Sequence, residues 1–359
     1  MKVHGVVLAG GNSTRLWPLT RKNKPKQLLH MPGGSSMTAD ALERLDCVID
    51  AQHRWLVTNA VQADAMCEVL GHRIPEEQLL VEPCARNTAA CIGWAAYQIL
   101  QRYGDGIMVV TPADHHIGDQ HAFEAAIHQA VNAAVRQDRL VTIGVQPAYP
   151  ATGYGYIRWD GTCKEVAKPV TAFCEKPDEA TAKGYMESGK YLWNTGIFVW
   201  RAGLILDKLR QYVPDIYGDL HTIGEAIGTA QEEATLEKVY PEIRQISIDY
   251  AVMEPASLHD EVLVVPAAFD WSDLGSWDVM AQMQHKDENS NATIGQHMLL
   301  NTKDCIVYGQ TPQLIAAYGV RDLVIVATED AILVCDRHEA QHVKDIVKAL
   351  ENSGQREWL

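Results

Sequence analysis

The residue types that could bind a phosphate chain cluster near the start of the sequence. A buried-strand pattern over Val3–Ala9 ends at Gly10-Gly11, Arg15 follows after a short polar turn, and Lys26 lies in a Pro-Lys-Gln triplet. Glycines let a backbone approach a ligand closely, and backbone N–H groups at the carboxyl ends of strands bind phosphates in α/β proteins. We therefore expect a polyphosphate-binding turn in which Arg15 donates paired hydrogen bonds and Lys26 supplies a point charge.

Two familiar phosphate-binding motifs do not fit this turn. The third glycine of the dinucleotide fingerprint is missing, and no Gly-Lys-Ser/Thr follows at the Walker spacing. The first absence excludes a dehydrogenase that uses this fingerprint, and together the two absences predict a different way of holding a triphosphate.

Two aspartates are candidates for holding a divalent metal ion. Asp114 follows the apolar strand pattern Ile107–Thr111, and Asp273 lies in a distinctive Trp-Ser-Asp-Leu-Gly-Ser loop. Mg²⁺ is typically held by one or two carboxylates together with substrate phosphates, so the pair predicts a magnesium site. The alternative for a lone aspartate after a strand is a helix N-cap. For His115 and His116 we favour packing and solvent exposure over metal binding.

A third set of residues combines groups that bind sugars and phosphates. Glu175-Lys176 follows a strand pattern, and Asn194 and Gly153 lie in two further loops or strands of the same region. A carboxylate and an amide bind neighbouring hydroxyls of a sugar, and a lysine binds its phosphate. Standing alone, these residues would favour a simpler interpretation, a turn with a surface ion pair.

The stretch Glu82–Ala89 carries a candidate for base recognition. The Glu82 carboxylate could accept hydrogen bonds from N1–H and N2–H₂ of guanine, which adenine does not offer. Asn87 is expected to cap a helix that starts at Thr88, and that structural role is compatible with ligand binding.

Composition excludes several classes of protein. The chain has 359 residues, a formal net charge of −15, and eight cysteines without a C-x-x-C pair. The acidity argues against nucleic acid as a partner, because such proteins carry a basic face. The cysteine spacing argues against zinc ribbons and redox dithiols. No apolar run reaches the length of a membrane span and no secretory signal is evident, so we expect a cytoplasmic protein with no membrane contact.

The order of apolar patterns predicts an α/β fold with parallel strands in the first half of the chain. After a polar linker over 285–292, short apolar runs about ten residues apart predict a small β-rich appendage, a few turns of a β-helix. We expect two domains, residues 1–285 and 290–359. The predicted strands include 3–9, 55–58, 107–111, 140–145, 170–175, 262–265, 305–308, 314–317, 323–327 and 332–335, and the predicted helices are 36–47, 88–100, 123–136, 179–188 and 338–350.

Taken together, these motifs resemble the sugar-1-phosphate nucleotidylyltransferases over nearly the whole chain, and specifically their bacterial guanylyltransferase branch. The resemblance implies a Rossmann-like, mixed and mostly parallel sheet flanked by helices, with a β-helix-like appendage. One departure is Ser13, where the family usually has a third glycine. Many members also carry a C-terminal isomerase domain, for which this chain ends too soon, so a second activity is not expected. The matching pieces are LAGGNSTRLWPLTRKNKPKQ, EPCARNTAA, TPADHHI, ATGYGYI, FCEKPD, YLWNTGIFVWRA, SIDYAVME and WSDLGSW.

The resemblance also implies roles for individual residues. Arg15 and Lys26 would bind the phosphates, Asp114 and Asp273 would hold Mg²⁺, and these four would form the catalytic set. The sugar phosphate would contact Gly153, Glu175, Lys176, Asn194 and Asp273. The nucleotide would contact Leu8, Ala9, Gly10, Gly11, Asn12, Ser13, Thr14, Glu82, Asn87, Thr88 and Pro112 as well as Arg15, Lys26 and Asp114.

The reaction implied by the resemblance is transfer of GMP from GTP to mannose 1-phosphate, with release of pyrophosphate. Two alternatives remain at this stage. The enzyme could act on another sugar 1-phosphate, such as a heptose or fucose derivative, or the chain could bind nucleotide without catalysis. We also expect a homodimer formed through the C-terminal segment.

Overall fold

The computed structural model describes residues 1–11, 13–30, 35–46, 48–159, 161 and 163–359. Strands and helices alternate through the first half of these residues, as the apolar patterns predicted. The strands are β1 (Val3–Leu8), β2 (Arg54–Asn59), β3 (Leu79–Glu82), β4 (Ile107–Pro112), β5 (His116–Ile117), β6 (Leu140–Val145), β7 (Gly155–Trp159), β8 (Lys168–Glu175), β9 (Tyr191–Arg201), β10 (Val262–Ala267), β11 (Trp271–Ser272), β12 (Ala292–Ile294), β13 (His297–Leu300), β14 (Ile306–Gly309), β15 (Ile315–Tyr318), β16 (Leu323–Ala327) and β17 (Ile332–Asp336).

The helices follow the same order along the chain. They are α1 (Met37–Arg44), α2 (Ala63–Leu70), α3 (Asn87–Tyr103), α4 (Gln120–Gln137), α5 (Glu179–Ser188), α6 (Ala202–Tyr212), α7 (Pro214–Ala226), α8 (Glu232–Val239), α9 (Glu254–Ser257), α10 (Trp277–Gln282) and α11 (Val343–Asn352). Short 3-10 helices include Thr14–Leu16, Lys26–Leu28 and Arg337–His342, and a π-helical turn covers Asp249–Met253.

The described chain divides into two compact units. The first unit comprises Met1–Gly10, Gly33–Ala113 and Ile117–Trp271, and the second comprises Gly11–Pro32, Asp114–His116 and Ser272–Leu359.

The first unit is built on one mixed sheet. Its strand order is β3-β2-β1-β4-β9-β6-β10-β8-β7. Only β8 and β9 run against the other strands, so the predicted mostly parallel sheet is confirmed. Because β1, β2, β3 and β4 are parallel, their carboxyl ends lie at one edge of the sheet. That edge carries Gly10, Asn59, Glu82 and Ala113, each at or just beyond a strand end.

Helices cover this sheet and complete its apolar core. The alanine-rich helix α3 packs against α6 and α7, and residues of all three belong to the main buried cluster. Helix α3 begins at Asn87, with Arg86 in the cap position, so the expectation that Asn87 caps the helix is wrong by one residue. Helices α6, α7 and α8 had not been predicted, although in α7 the buried residues Ile216, Leu220 and Ile223 recur at helical spacing. Helix α8 has no buried residue and so offers no such signal.

The second unit contains the predicted C-terminal strands. Strands β12, β14 and β16 pair in parallel, β13 pairs in parallel with β15, and β17 runs antiparallel to β16. Short parallel strands from successive turns of chain are typical of a β-helix. Helix α11 contributes Val343 and Val347 to the unit's buried cluster, which also contains Leu16, Trp17, Leu19, Trp277, Ile306, Val324, Val326 and Leu333.

No helix in the described part of the chain has both the length and the apolar character that crossing a bilayer requires.

Candidate active site

The predicted site residues fall into three groups, one in the second unit and two in the first. We call them the Lys26 cavity, the Glu82 group and the Glu175 group. Asn12, which was predicted to contact the nucleotide, lies outside the described residues.

The Lys26 cavity belongs entirely to the second unit. It is an open cavity of about 170 Å³ lined by two predicted cations, two predicted metal ligands and parts of the glycine turn. The lining residues are Gly11, Ser13, Arg15, Lys26, Asp114, His115, Asp273 and Gly275. Arg15, Lys26, Asp114 and Asp273, which lie far apart in the sequence, therefore line one cavity.

Lys26 is the central residue of this cavity. Its side chain is only 5% exposed, and its Nζ lies 2.7 Å from Asp114 Oδ2. The same ammonium group donates a hydrogen bond to the backbone carbonyl of Asp273. Burial alone raises the pKa of Asp114, but the charges of Lys26 and His115 outweigh it and hold the pKa below its ordinary value. Asp114 is therefore a carboxylate at neutral pH.

Two side chains from the following residues donate hydrogen bonds to backbone carbonyls of the glycine turn. Gln27 Nε2 donates to the carbonyl of Gly11 over 3.2 Å, and Thr20 Oγ1 donates to the carbonyl of Ser13. Thr14 begins the 3-10 helix that carries Arg15. The turn and the Lys26 helix are thus braced against each other before any ligand binds.

The two aspartates fit a magnesium site of the kind that substrate completes. Asp273 Oδ1 accepts a hydrogen bond from the backbone N–H of Gly275, which orients its carboxylate within the cavity. Among the described residues, no three histidine, cysteine, aspartate or glutamate side chains are grouped to hold a metal. Mg²⁺ rarely uses an all-protein cage and instead combines one or two carboxylates with phosphates and water.

The Glu82 group lies at the carboxyl edge of the main sheet. Glu82 is 5% exposed, and its Oε1 accepts a hydrogen bond from the buried Tyr240 hydroxyl over 2.7 Å. Its other oxygen, Oε2, lies 2.9 Å from where a Cβ on Gly10 would be. Asn59 Nδ2 donates to the carbonyl of Gly10 and fixes the backbone there. A side chain at residue 10 would therefore crowd the Glu82 carboxyl, which is a second reason for glycine beside the close approach of backbone to ligand.

Burial gives Glu82 an unusual ionisation. It raises the pKa of the carboxyl from 4.5 to about 7, although hydrogen bonds from Tyr240 and from the Arg86 backbone oppose the rise. A carboxyl poised near neutrality is common at functional sites. Tyr240 had not been predicted, and its distance of 158 residues from Glu82 leaves no local signal in the sequence.

The remaining nucleotide candidates in the first unit have structural partners. Asn87 Oδ1 accepts from the backbone N–H of Thr88, and Thr88 Oγ1 accepts from the backbone N–H of Ile248. Ala9 donates its backbone N–H to Val57, and the Leu8 carbonyl accepts from Ala113, one residue beyond Pro112. The last two contacts hold strand ends together, and the Thr88 contact joins the start of α3 to Ile248.

The Glu175 group brings predicted and unpredicted residues together. Asn194 Nδ2 donates to Asp249 Oδ1 over 3.0 Å, and Lys176 Nζ lies 3.5 Å from Glu175 Oε2. The backbone N–H of Glu175 donates to Glu254 Oε1 over 3.3 Å. Asp249 and Glu254 had no predicted role, although both lie in the SIDYAVME stretch that carries part of the family resemblance.

Crowding of carboxyl groups changes the ionisation of this group. Burial, followed by the charge of Asp249, raises the pKa of Glu175 to about 7, while Lys176 opposes the rise. Burial also raises the pKa of Asp249. Gly155 rather than Gly153 makes room for Glu175, since a Cβ at residue 155 would overlap Glu175 Oε1, whereas a Cβ at Gly153 would meet open space.

Backbone strain accompanies each group. Asn87, Lys176 and Leu274 have φ angles of 65°, 46° and 44°, a left-handed conformation that costs energy for residues with a side chain. Each is next to or within a predicted site motif. Such strain often persists where a ligand site requires one backbone geometry.

Comparison with known proteins assigns the class. A sequence model described as Nucleotidyl transferase matches residues 4–290, and one described as MannoseP isomerase/GMP-like beta-helix domain matches residues 295–350. The chain therefore belongs to the nucleotidyl transferase family, and the predicted β-helix-like appendage is confirmed.

Individual relatives have names that are more specific than the family description. The chain is 36% identical to mannose-1-phosphate guanylyltransferase of Escherichia coli, over 99% of this chain and 75% of that protein. It is 35% identical to alginate biosynthesis protein AlgA of Pseudomonas aeruginosa, over 98% of this chain and 73% of that protein. A crystal structure titled mannose-1-phosphate geranyltransferase, from Thermus thermophilus, matches with a TM-score of 0.86 and 32% identity, covering 98% of this chain and 100% of that one. The predicted membership of the sugar-1-phosphate nucleotidylyltransferases is confirmed.

The raised pKa of Glu82 predicts a pH-dependent stability. The unfolded carboxyl ionises near 4.5 and the folded one near 7. The folded state therefore bears a cost that is absent at low pH, grows between these two values, and is complete above the higher one, at about 3 kcal/mol. Glu82→Gln keeps the acceptor for Tyr240 without the charge. We expect it to raise the free energy of unfolding at pH 8 by up to about 3 kcal/mol, and by much less at pH 5.

Urea unfolding at both pH values measures this difference. The exposed Glu77→Gln variant is the matched control for removing a carboxylate. A Glu82→Gln variant that is equally stabilised at both pH values, or destabilised at pH 8, would contradict the prediction.

Proposed function

We propose that this protein transfers GMP from GTP to α-D-mannose 1-phosphate and releases pyrophosphate. The observation that carries the proposal is the Lys26 cavity, in which a glycine turn, two basic side chains and two carboxylates surround an open space. The kinship with guanylyltransferases that act on mannose 1-phosphate supports this choice of substrates.

The reaction needs no general base. A non-bridging oxygen of the sugar phosphate forms a bond to the α-phosphorus of GTP, the bond from that phosphorus to the bridging oxygen breaks, and pyrophosphate leaves with the electron pair. A phosphate monoester is mostly dianionic at pH 7 because its second pKa is about 6. The protein has to bring two anions together in line and offset their charge.

The Lys26 cavity would supply positive charge and hold the phosphates in position. Arg15 would bind phosphate oxygens with its planar donors, and Lys26 would add a point charge. Asp114 and Asp273 would hold Mg²⁺, which supplies positive charge at the phosphates when it is bound. Enzymes of this family generally use a divalent metal ion, and the choice of magnesium is part of the proposal. The Lys26–Asp114 ion pair would keep this carboxylate oriented and ionised.

Recognition of the base would rest on the Glu82 group. The Glu82 carboxylate would accept hydrogen bonds from N1–H and N2–H₂ of guanine. The Tyr240 hydroxyl, which donates to Glu82 Oε1, would hold this carboxylate in place. The backbone from Leu8 to Thr14 and Pro112 would contact the nucleotide, and Asn87 and Thr88 would lie near the base and ribose.

Recognition of the sugar would rest on the Glu175 group. Glu175 and Asn194 would bind neighbouring hydroxyls, Lys176 the phosphate, and Gly153 would leave room for the ligand. To these residues we add Asp249, because its hydrogen bond fixes the Asn194 amide. Asp273 would contact the sugar phosphate as well as the metal.

A matrix of nucleotides and sugar 1-phosphates tests the substrate assignment. We expect pyrophosphate release with GTP and mannose 1-phosphate to exceed that with any other pair, because the Glu82 carboxylate discriminates against adenine. A higher rate with a heptose or fucose 1-phosphate would assign a different sugar. Absence of release with every pair would leave a nucleotide-binding protein without catalysis.

The metal assignment predicts the effect of removing each carboxylate. Asp114→Ala and Asp273→Ala should each lower Mg²⁺-dependent turnover by at least about a hundredfold, because each removes a ligand from a site with few protein ligands. Pyrophosphate release measured against Mg²⁺ concentration tests this. Circular dichroism and the melting temperature check the fold of each variant. Near-normal turnover in one variant would remove that residue from the metal site.

We also propose that the protein works in the cytoplasm as a homodimer, formed through a C-terminal domain of residues 290–359 that follows a transferase domain of residues 1–285. Support for the dimer comes from an exposed apolar row on β13 and β15. Leu300 and Tyr318 are register partners, 53% and 73% exposed. Met298 on β13 and Leu314, just before β15, are also exposed. Exposed apolar patches of this kind mark protein–protein contacts.

Charge placed on this row should separate the subunits. We expect wild-type protein to elute as a dimer and the Leu300→Glu/Tyr318→Glu double variant as a monomer, because two carboxylates would lose solvation in the interface. Size-exclusion chromatography with light scattering measures the mass. Val135→Glu, at an exposed apolar position on α4, is the control. A double variant that keeps the wild-type mass would contradict the proposed surface.

A further inference from the structure

The last thirty residues of the chain hold the segment that follows the glycine turn. Trp17 Nε1 donates to the carbonyl of Trp358 over 2.9 Å, and Lys22 Nζ lies 2.8 Å from Glu351 Oε1. Arg21 pairs with Asp330 over 2.8 Å. Arg15 Nη1 donates to Gln341 Oε1 over 3.0 Å. All of these residues belong to the second unit, so the contacts lie within one compact body.

The partner of Arg15 differs in charge from the partners of its neighbours. Arg21 and Lys22 each face a carboxylate, which offsets their charge. Arg15 faces the neutral amide of Gln341. An amide oxygen accepts one of the five guanidinium N–H donors and leaves the positive charge intact. Arg15 also lines the Lys26 cavity, where an uncompensated cation is useful for binding an anion.

The backbone that carries Gln341 is well anchored. Gln341 lies in the 3-10 helix Arg337–His342, between the buried side chains of Ala340 and Val343. Asp336 Oδ1 caps this helix by accepting from the backbone N–H of His338 over 2.8 Å. Arg337 forms an ion pair with Asp278 over 2.6 Å. The anchored backbone therefore fixes the position from which the Gln341 side chain reaches Arg15, while the side chain itself is exposed.

We infer that Gln341 is a positioning residue for nucleotide binding: it aims the Arg15 guanidinium at the phosphates of GTP while leaving its charge uncancelled. The inference rests on the proposed function, since it takes Arg15 as a phosphate ligand. It makes the C-terminal segment a working part of the nucleotide site, through a side chain 326 residues away from Arg15.

Two substitutions separate orientation from charge. Gln341→Met keeps the length of the side chain and removes the acceptor, so Arg15 loses the hydrogen bond that orients it. We expect the KM for GTP to rise about three- to tenfold, which is the range for one lost hydrogen bond. Gln341→Glu keeps the acceptor but adds a carboxylate that competes with phosphate for Arg15. We expect a rise of about tenfold or more. In both variants the KM for mannose 1-phosphate should stay at the wild-type value.

Controls distinguish positioning from general damage. Glu339→Gln changes a side chain of the same 3-10 helix that pairs with His342 instead of Arg15, and it should leave both KM values unchanged. All variants should melt at the wild-type temperature. Arg15→Ala is the reference for complete loss of the guanidinium, and its kcat/KM for GTP should fall further than that of either Gln341 variant.

The possible failures have different meanings. Wild-type KM for GTP in either Gln341 variant, beside a strongly impaired Arg15→Ala, would overturn the inference and leave the proposed function standing. A lower KM for GTP in the Met variant would also overturn it, because Gln341 would then restrain Arg15. An unimpaired Arg15→Ala would instead remove Arg15 from the phosphate site and so contradict that part of the proposed function.

Discussion

A buried ammonium group joins three distant stretches of chain in the second unit. Lys26 Nζ meets the carboxylate of Asp114 and the backbone carbonyl of Asp273, and its side chain is 5% exposed. Removing one partner of a fully buried ion pair typically costs about 3–5 kcal/mol, and the cost here should be smaller because the Asp114 side chain is 23% exposed. This contact ties Lys26 to both metal candidates, and all three residues line the cavity. The residue proposed to bind phosphate is therefore also the one that assembles its surroundings.

Two buried carboxyl groups in the first unit oppose folding at neutral pH. Glu82 and Glu175 are buried carboxyls whose pKa values rise to about 7, so keeping them ionised at neutral pH opposes folding. Hydrogen bonds from Tyr240 and the charge of Lys176 reduce that cost without removing it. An apolar or amide side chain would serve stability better, which supports a role in ligand recognition for both carboxyls. The left-handed backbone at Lys176 adds to the same conclusion.

The segment Gly11–Pro32 and the C-terminal residues belong to one compact unit. Gly11–Pro32 packs with Ser272–Leu359 in the second unit, and Leu16, Trp17 and Leu19 share a buried cluster with Val343 and Val347. A β-helix that only extended the protein would not need such contacts. In this molecule the terminal helix and tail contact the segment that carries Arg15, which links the C-terminal part structurally to the proposed phosphate ligand.

The sequence by itself determined the strand that precedes Gly10-Gly11, most strands of the main sheet, five of the eleven α-helices in the described chain, the repeated C-terminal strands and the chemical types at the site. Burial periodicity and turn chemistry are local, so a short window of residues contains them. The tertiary structure alone decided that Lys26 pairs with Asp114, that Tyr240 meets Glu82 and that Gln341 meets Arg15. These partners lie up to 326 residues apart. Each of these contacts forms within one unit when that unit folds, and no local pattern of residues records which distant segments meet.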